Sequence, residues 1–218
     1  MSPPDSSEAG RHSLPPKVDG RRLRSERTRQ LIIEAYMGLV RESAQVPTAQ
    51  QIAERAGYSV RSVFERFPDL QALRIAVTDQ AIAEGRNDNA LRDVDGDRPT
   101  RIRSQVQARA SGCEKWLPLW RVLSTQNEGS EELLKRVRMV RELARLRIEM
   151  MFRPELSTLA EPQRRNTLIA IEAIVDFESW GRMRELHGLS FDDACGVWIR
   201  AIDKLLPPTP AVSGGPIS

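Results

Sequence analysis

Between Thr48 and Phe67 the chain carries three backbone signals so closely spaced that they admit very few local structures. Thr48-Ala49-Gln50-Gln51 is a capping box, in which the Thr48 and Gln51 side chains each accept from the other's backbone N–H and so open a helix. Gly57 ends that helix, because glycine takes a positive φ without steric cost. Ser59 caps a second helix, and Pro68 breaks it. Two short helices joined by a turn of this length make a helix-turn-helix. The steep crossing needs a small residue on the first helix, and Ala53 supplies it. Ile52, Ala56 and Val63 are expected inside. Val60, Arg61, Ser62, Phe64 and Arg66 are expected on the outer face of the second helix.

The rest of the chain reads as helix too. Ser25 is expected to cap a helix whose apolar stripe is Ile32, Ala35, Tyr36 and Leu39, at i, i+3, i+4 and i+7. Asp69 caps a fourth helix running to about Glu84, and residues 85–98 form a polar linker. A long helix then starts at Thr100, and Gly112 and Pro118 are expected to divide it in two. Ser130 opens a helix to about Phe152, ended by Pro154. Pro162 suits the first turn of a helix ending near His187, with Gly188 just beyond it. Ser190 to Asp193 resembles another capping box, opening a last helix to Leu206 that Pro207 and Pro208 close. Aromatic residues are 5% of the chain, and no sustained period-2 alternation appears, so the expected class is all-α with nine helices. Residues 1–20 and 207–218, rich in Pro, Ser and Gly, are expected to be disordered tails.

Charge and missing motifs narrow the function. Twelve of the 33 basic residues, but only nine of the 30 acidic ones, lie between Met1 and Arg74. The whole net charge of +3 therefore sits in the first third, concentrated from Arg11 to Arg29. A local basic excess is the footprint of phosphate contact. The other reading is a solvated basic tail. Enzyme activity is not expected. His12 lies in the expected tail, His187 at a helix end, and Cys113 and Cys195 within helical patterns. No phosphate loop or paired-His metal spacing occurs, so neither a cofactor nor a metal is expected. With no apolar run long enough for a membrane span and no export signal, a cytoplasmic protein is expected.

An α-helix fits the major groove, and the side chains of its first turns meet base edges. Arg61 is the candidate for reading a guanine through O6 and N7, and Ser62 for a base or phosphate. The starts of the two helices, at Thr48, Ala49 and Gln50 and at Ser59, offer N–H groups to phosphates. Arg21, Arg22 and Arg24 form a basic arm in front of them.

Three stretches together resemble the N-terminal domain of TetR-family transcriptional repressors. They are Thr28-Arg29-x-x-Ile32-x-x-Ala35, Thr48-x-x-Gln51-Ile52-Ala53-x-x-Ala56-Gly57-x-Ser59, and Val63-Phe64-x-x-Phe67 followed by Leu73. The match covers about fifty residues. Three positions depart from the family pattern. Phe64 stands where Tyr is usual, Arg66 where His is, and Leu70 where Lys is. Two phosphate contacts are thereby lost, a burden that Arg66 and the Arg21, Arg22, Arg24 arm can take up.

The resemblance implies a DNA-binding domain over 21–75 and an effector-binding and dimerisation domain over 76–206. It implies a homodimer on a palindromic double-stranded operator, released by a small apolar or aromatic effector. The last two long helices would pair with their twins through Ile171, Ile174, Phe177, Trp180, Trp198 and Ile202. Trp116, Trp120, Met150, Met151 and Phe152 are the candidate effector contacts. The competing function is a helical dimerisation or protein-interaction scaffold whose degenerate helix-turn-helix binds DNA weakly or not at all.

Overall fold

Helical periodicity governs the whole fold. In the computed structural model, residues 20–88, 90–125 and 130–211 are described. They form α1 (Gly20–Ser43), α2 (Ala49–Ala56), α3 (Val60–Arg66), α4 (Leu70–Asp88), α5 (Arg98–Thr125), α6 (Glu131–Met151), α7 (Arg153–Leu156), α8 (Glu161–Ile174), α9 (Phe177–Gly181) and α10 (Phe191–Leu205), with a π-helical turn, Arg182–Leu186, continuing α9. No strand occurs among the described residues. No described helix is long and apolar enough to cross a membrane.

In the first unit, α1 buries Ile32, Ile33, Ala35, Tyr36, Met37 and Val40 against α2, α3 and α4. Leu39 is only partly buried. Arg55 of α2 reaches across α1 to Glu42 at 2.6 Å. A Cβ on Gly38 would stand 2.9 Å from the Arg55 guanidinium, so this glycine lets the side chain lie flat on α1. Ser25 does not cap α1, which already begins at Gly20. Arg and Leu are good helix formers, so Arg21, Arg22 and Arg24 extend the helix and do not form a separate arm.

The second unit is organised around α5, which packs on α1, α4, α6, α9 and α10. Pro118 does not divide it. A proline inside a helix costs about 3 kcal/mol. Burial of Trp116, Leu117 and Leu119 on either side offsets that cost. Lys115 holds the end of α4 to α5 through Glu84 (3.1 Å) and Asp88 (2.8 Å), so α4 runs beyond Glu84 into the expected linker.

Pro154 opens the short α7 and does not simply end α6. The helix expected over 162–187 is interrupted at Val175 and Asp176. The Asp176 carboxylate accepts from the Ser179 N–H at 2.6 Å and restarts the chain as α9. Arg109 meanwhile takes the Val175 carbonyl at 2.7 Å. The described chain thus has ten α-helices where nine were expected.

Part of the expected C-terminal tail is tied down. Arg98 donates to the Asp203 carboxylate (2.8 Å) and to the Leu206 carbonyl (3.1 Å) and that of Pro207, closing the C-terminal end of α10. Thr209 donates to Glu155 at 2.5 Å. Glu155 is fully buried and pairs with the buried Arg101 of α5. The expected tail 1–20 lies, except for Gly20, outside the described residues, as do residues 212–218.

Candidate nucleic-acid interface and internal cavity

The caps at the helix-turn-helix form as their sequence dictates. Thr48 accepts from the Gln51 N–H at 3.3 Å, while its own N–H donates to the Gln51 side chain at 2.8 Å. Gly57 sits at φ 75°, in the left-handed region, and its N–H returns to Ala53 and Glu54. Ser59 accepts from Ser62 N–H at 3.1 Å. The two hydroxyls of Ser59 and Ser62 lie 2.9 Å apart at the start of α3. Ile52, Ala53 and Val63 are buried where the two helices cross.

On α3, Arg61 is the most open side chain, 89% exposed, with a single Glu65 partner at 3.1 Å. Exposed i, i+4 pairs contribute about 0.3–0.5 kcal/mol, so Arg61 is readily redirected. Phe64 is exposed beside it. Thr48 and Gln50 are exposed and Ala49 half-buried at the start of α2, and Arg21, Arg22 and Arg24 are exposed on α1.

Three expected outer-face residues are only half-exposed, Ser62 at the start of α3 among them. Val60 is half-buried and packs on the core. Arg66 is half-buried at the end of α3, its Nε enclosed and its carbonyl accepting from Arg29. The seven residues of α3 make barely two turns, so one strip faces out, and residues 60 and 66 fall at its margins. Leu70, where the resemblance leads one to look for Lys, also packs on the core. Two neighbouring residues of the motif take roles not anticipated from the sequence. Thr28 donates to the Tyr58 hydroxyl at 3.3 Å, and Arg29 lies 4.3 Å above the Phe67 ring. Both tie α1 to the turn and the end of α3.

Deeper in the molecule, α4, α5 and α6 enclose a cavity of about 380 Å³. Thr78, Ala81, Ile82, Gly85 and Arg86 of α4 form one wall. Gln105, Arg109, Gly112, Trp116, Leu119, Trp120 and Leu123 of α5 form the second. Val140, Leu143, Ala144, Arg147, Ile148 and Met150 of α6 form the third. Trp120 stacks on Phe177 with ring centres 4.6 Å apart.

No family model matches the sequence, and no curated protein does either. Solved structures do match in shape. A TetR-family transcriptional regulator from Streptomyces coelicolor superposes with a TM-score of 0.66 at 16% identity, covering 83% of this chain and 79% of that one. A protein assigned to the same family from Rhodococcus sp. gives 0.57 at 19% identity, covering 82% and 98%. A transcriptional regulator from Rhodococcus sp. Rha1 gives 0.57 at 15%, covering 85% and 99%. The chain has the TetR-regulator fold.

Within this TetR fold the expected contact residues separate into those that reach open space and those that do not. Trp116, Trp120 and Met150 line the cavity. Met151 and Phe152 do not, being fully buried in the core beside it. Of the expected interface residues, Ile171, Phe177, Trp180, Trp198 and Ile202 are buried within the single chain, and Ile174 is half-buried. Trp180 and Trp198 pack together at 5.0 Å, and the Trp180 Nε1–H donates to Glu114 at 2.6 Å. The buried ones hold the protomer together, and Ile174 stays partly open. The open apolar positions of the TetR fold's late helices are instead Ile169 and Ala173 on α8, Leu186 on the π turn and Val197 on α10.

Sequence reading also missed the cavity's arginines. Their signal was present: Gln105, Arg109, Gly112, Trp116, Trp120 and Leu123 recur at helical spacing along one face of α5. The two arginine-bearing stripes, on α5 and on α6, had to be known to face each other before they meant a cavity.

Proposed function

We propose that the chain is a DNA-binding transcriptional regulator that acts as a homodimer and represses until a small molecule enters the cavity. The observation that carries this reading is the double role of α4. It follows directly on the helix-turn-helix, packs on α1, and forms a wall of the cavity 8 to 16 residues further on, from Thr78 to Arg86. A ligand that favours one position of α4 thereby favours one orientation of α3. Differential affinity for two such states is all that linkage requires.

On DNA, Arg61 reads a guanine, Ser62 contacts a base or phosphate, and the exposed Phe64 ring lies against a thymine methyl. Thr48, Ala49 and Gln50 at the start of α2, Ser59, and Arg21, Arg22 and Arg24 on α1 take the backbone. Two copies joined through Ile169, Ala173 and Val197 present two recognition helices. A spacing of ~34–36 Å would seat them in successive major grooves of a palindrome.

The test is anisotropy of the full chain on a random-sequence duplex, then on sites selected from a palindromic library, across a salt series. Each phosphate contact predicts a fall in log K against log salt with a slope of ~0.9. Arg61→Ala is expected to relax preference at one base pair by about 1–3 kcal/mol of discrimination. Absence of binding at low salt would sink the regulator reading and leave the scaffold.

A further inference from the structure

The cavity's polar chemistry is one-sided. Three arginines line it, Arg86, Arg109 and Arg147, and among the described residues no carboxylate does. The remaining walls are mostly apolar and aromatic. Protein interiors do not normally place cations along an apolar cavity unless something balances them.

The individual side chains support the same view. Arg147 is half-buried on α6 and donates its Nε to the Gln105 side chain at 2.8 Å. Its burial pushes its pKa down from the ordinary guanidinium value. Arg109 gives its Nε to the Val175 carbonyl, and its guanidinium lies 4.6 Å from the Phe177 ring centre. Phe177 in turn stacks on Trp120, so an aromatic wall grades into a guanidinium. Trp116 is 8% exposed, and its Nε1–H, a donor with no acceptor capacity, has no hydrogen-bond partner. It lies near Gly85, which lines the same cavity. A buried indole donor and two half-buried guanidiniums, Arg109 and Arg147, thus line the same apolar cavity.

We infer that the cavity takes an amphipathic organic acid, with a flat apolar body along Trp120 and Phe177 and an anionic head on the Arg147, Arg109 and Trp116 donors. A volume of about 380 Å³ falls in the range of small-molecule sites. The head accepts from the Trp116 N–H and adds charge-assisted bonds to the guanidiniums. A neutral body of the same shape does neither, and a cationic one adds repulsion. The inference deepens the regulator reading and rests on it only for what binding does to DNA.

Three probes that share a naphthalene body separate the head from the body: 2-naphthoate, 2-naphthylmethanol and 2-naphthylmethylammonium. Each is titrated calorimetrically into the full chain without DNA. Charge-assisted bonds are roughly twice as strong as neutral ones, so naphthoate is expected to bind at least about tenfold tighter than the alcohol, with the ammonium weakest. Arg147→Met is expected to collapse that preference to about threefold or less while leaving the alcohol's affinity nearly unchanged. Equal affinities, tighter binding of the ammonium, or no binding by any probe would overturn the inference. The wild-type series decides this even if the variant does not fold. Duplex binding measured with and without naphthoate is read separately. A naphthoate preference with no effect on DNA keeps the acid site and removes the regulator reading.

Discussion

The helix-turn-helix and the cavity-bearing unit are built from the same helical grammar but held in different ways. In the first, the decisive bonds are local. Thr48 with Gln51 and Ser59 with Ser62 each span three residues, and Gly57 sets its own backbone angle. In the second, they are distant. Arg101 meets Glu155, Arg109 meets Val175, Glu114 meets Trp180 and Arg98 meets the end of α10, each across more than fifty residues. A motif made of local bonds tolerates loss by small increments. A unit made of long-range bonds depends on partners that leave buried charge behind when they are removed.

That contrast can be broken most sharply at Arg101. Arg101→Ala leaves the fully buried Glu155 carboxylate without its cation. Removing one partner of a buried pair costs about 3–5 kcal/mol. Chemical denaturation should show a loss of that size, and a loss under about 1 kcal/mol would mean that water or Thr209 already compensates Glu155.

Gly57→Ala comes next. Nothing stands within 4 Å of a Cβ placed there, so the cost is the left-handed backbone alone, φ 75°. About 1–2 kcal/mol is expected in the same denaturation experiment. Thr48→Ala removes one N-cap and is expected to cost about 1 kcal/mol. If either local change rivals Arg101→Ala, the division between local and distant reinforcement does not hold.

The same division sets how much was legible beforehand. Both caps of the helix-turn-helix, its glycine turn and the buried set Ile52, Ala53 and Val63 follow from residue type and short spacing. So does the open position of Arg61, since a side chain on the first turn of a short helix, on the face opposite Val63, points away from the core. Val60 and Arg66 were misplaced because their surroundings come from other helices. In the larger unit, the aromatic stripe of Trp116 and Trp120 was visible as a stripe, but whether it faced core or cavity was not. Met151 and Phe152 lie one and two positions beyond Met150, enough rotation on the helix to move them from the cavity wall into the core.

Sequence by itself determined the helical class and the helix-turn-helix, because caps, turns and 3.6-residue periodicity act within a few residues of one another. Tertiary structure decided whether Pro118 would break α5, where Asp176 would restart the chain, which of the late apolar residues would be spent inside the protomer, and that three arginines would meet around one cavity. Those outcomes depend on which faces pack together, and the free energy that selects them, burial of apolar surface and pairing of buried charge, is shared among helices far apart along the chain.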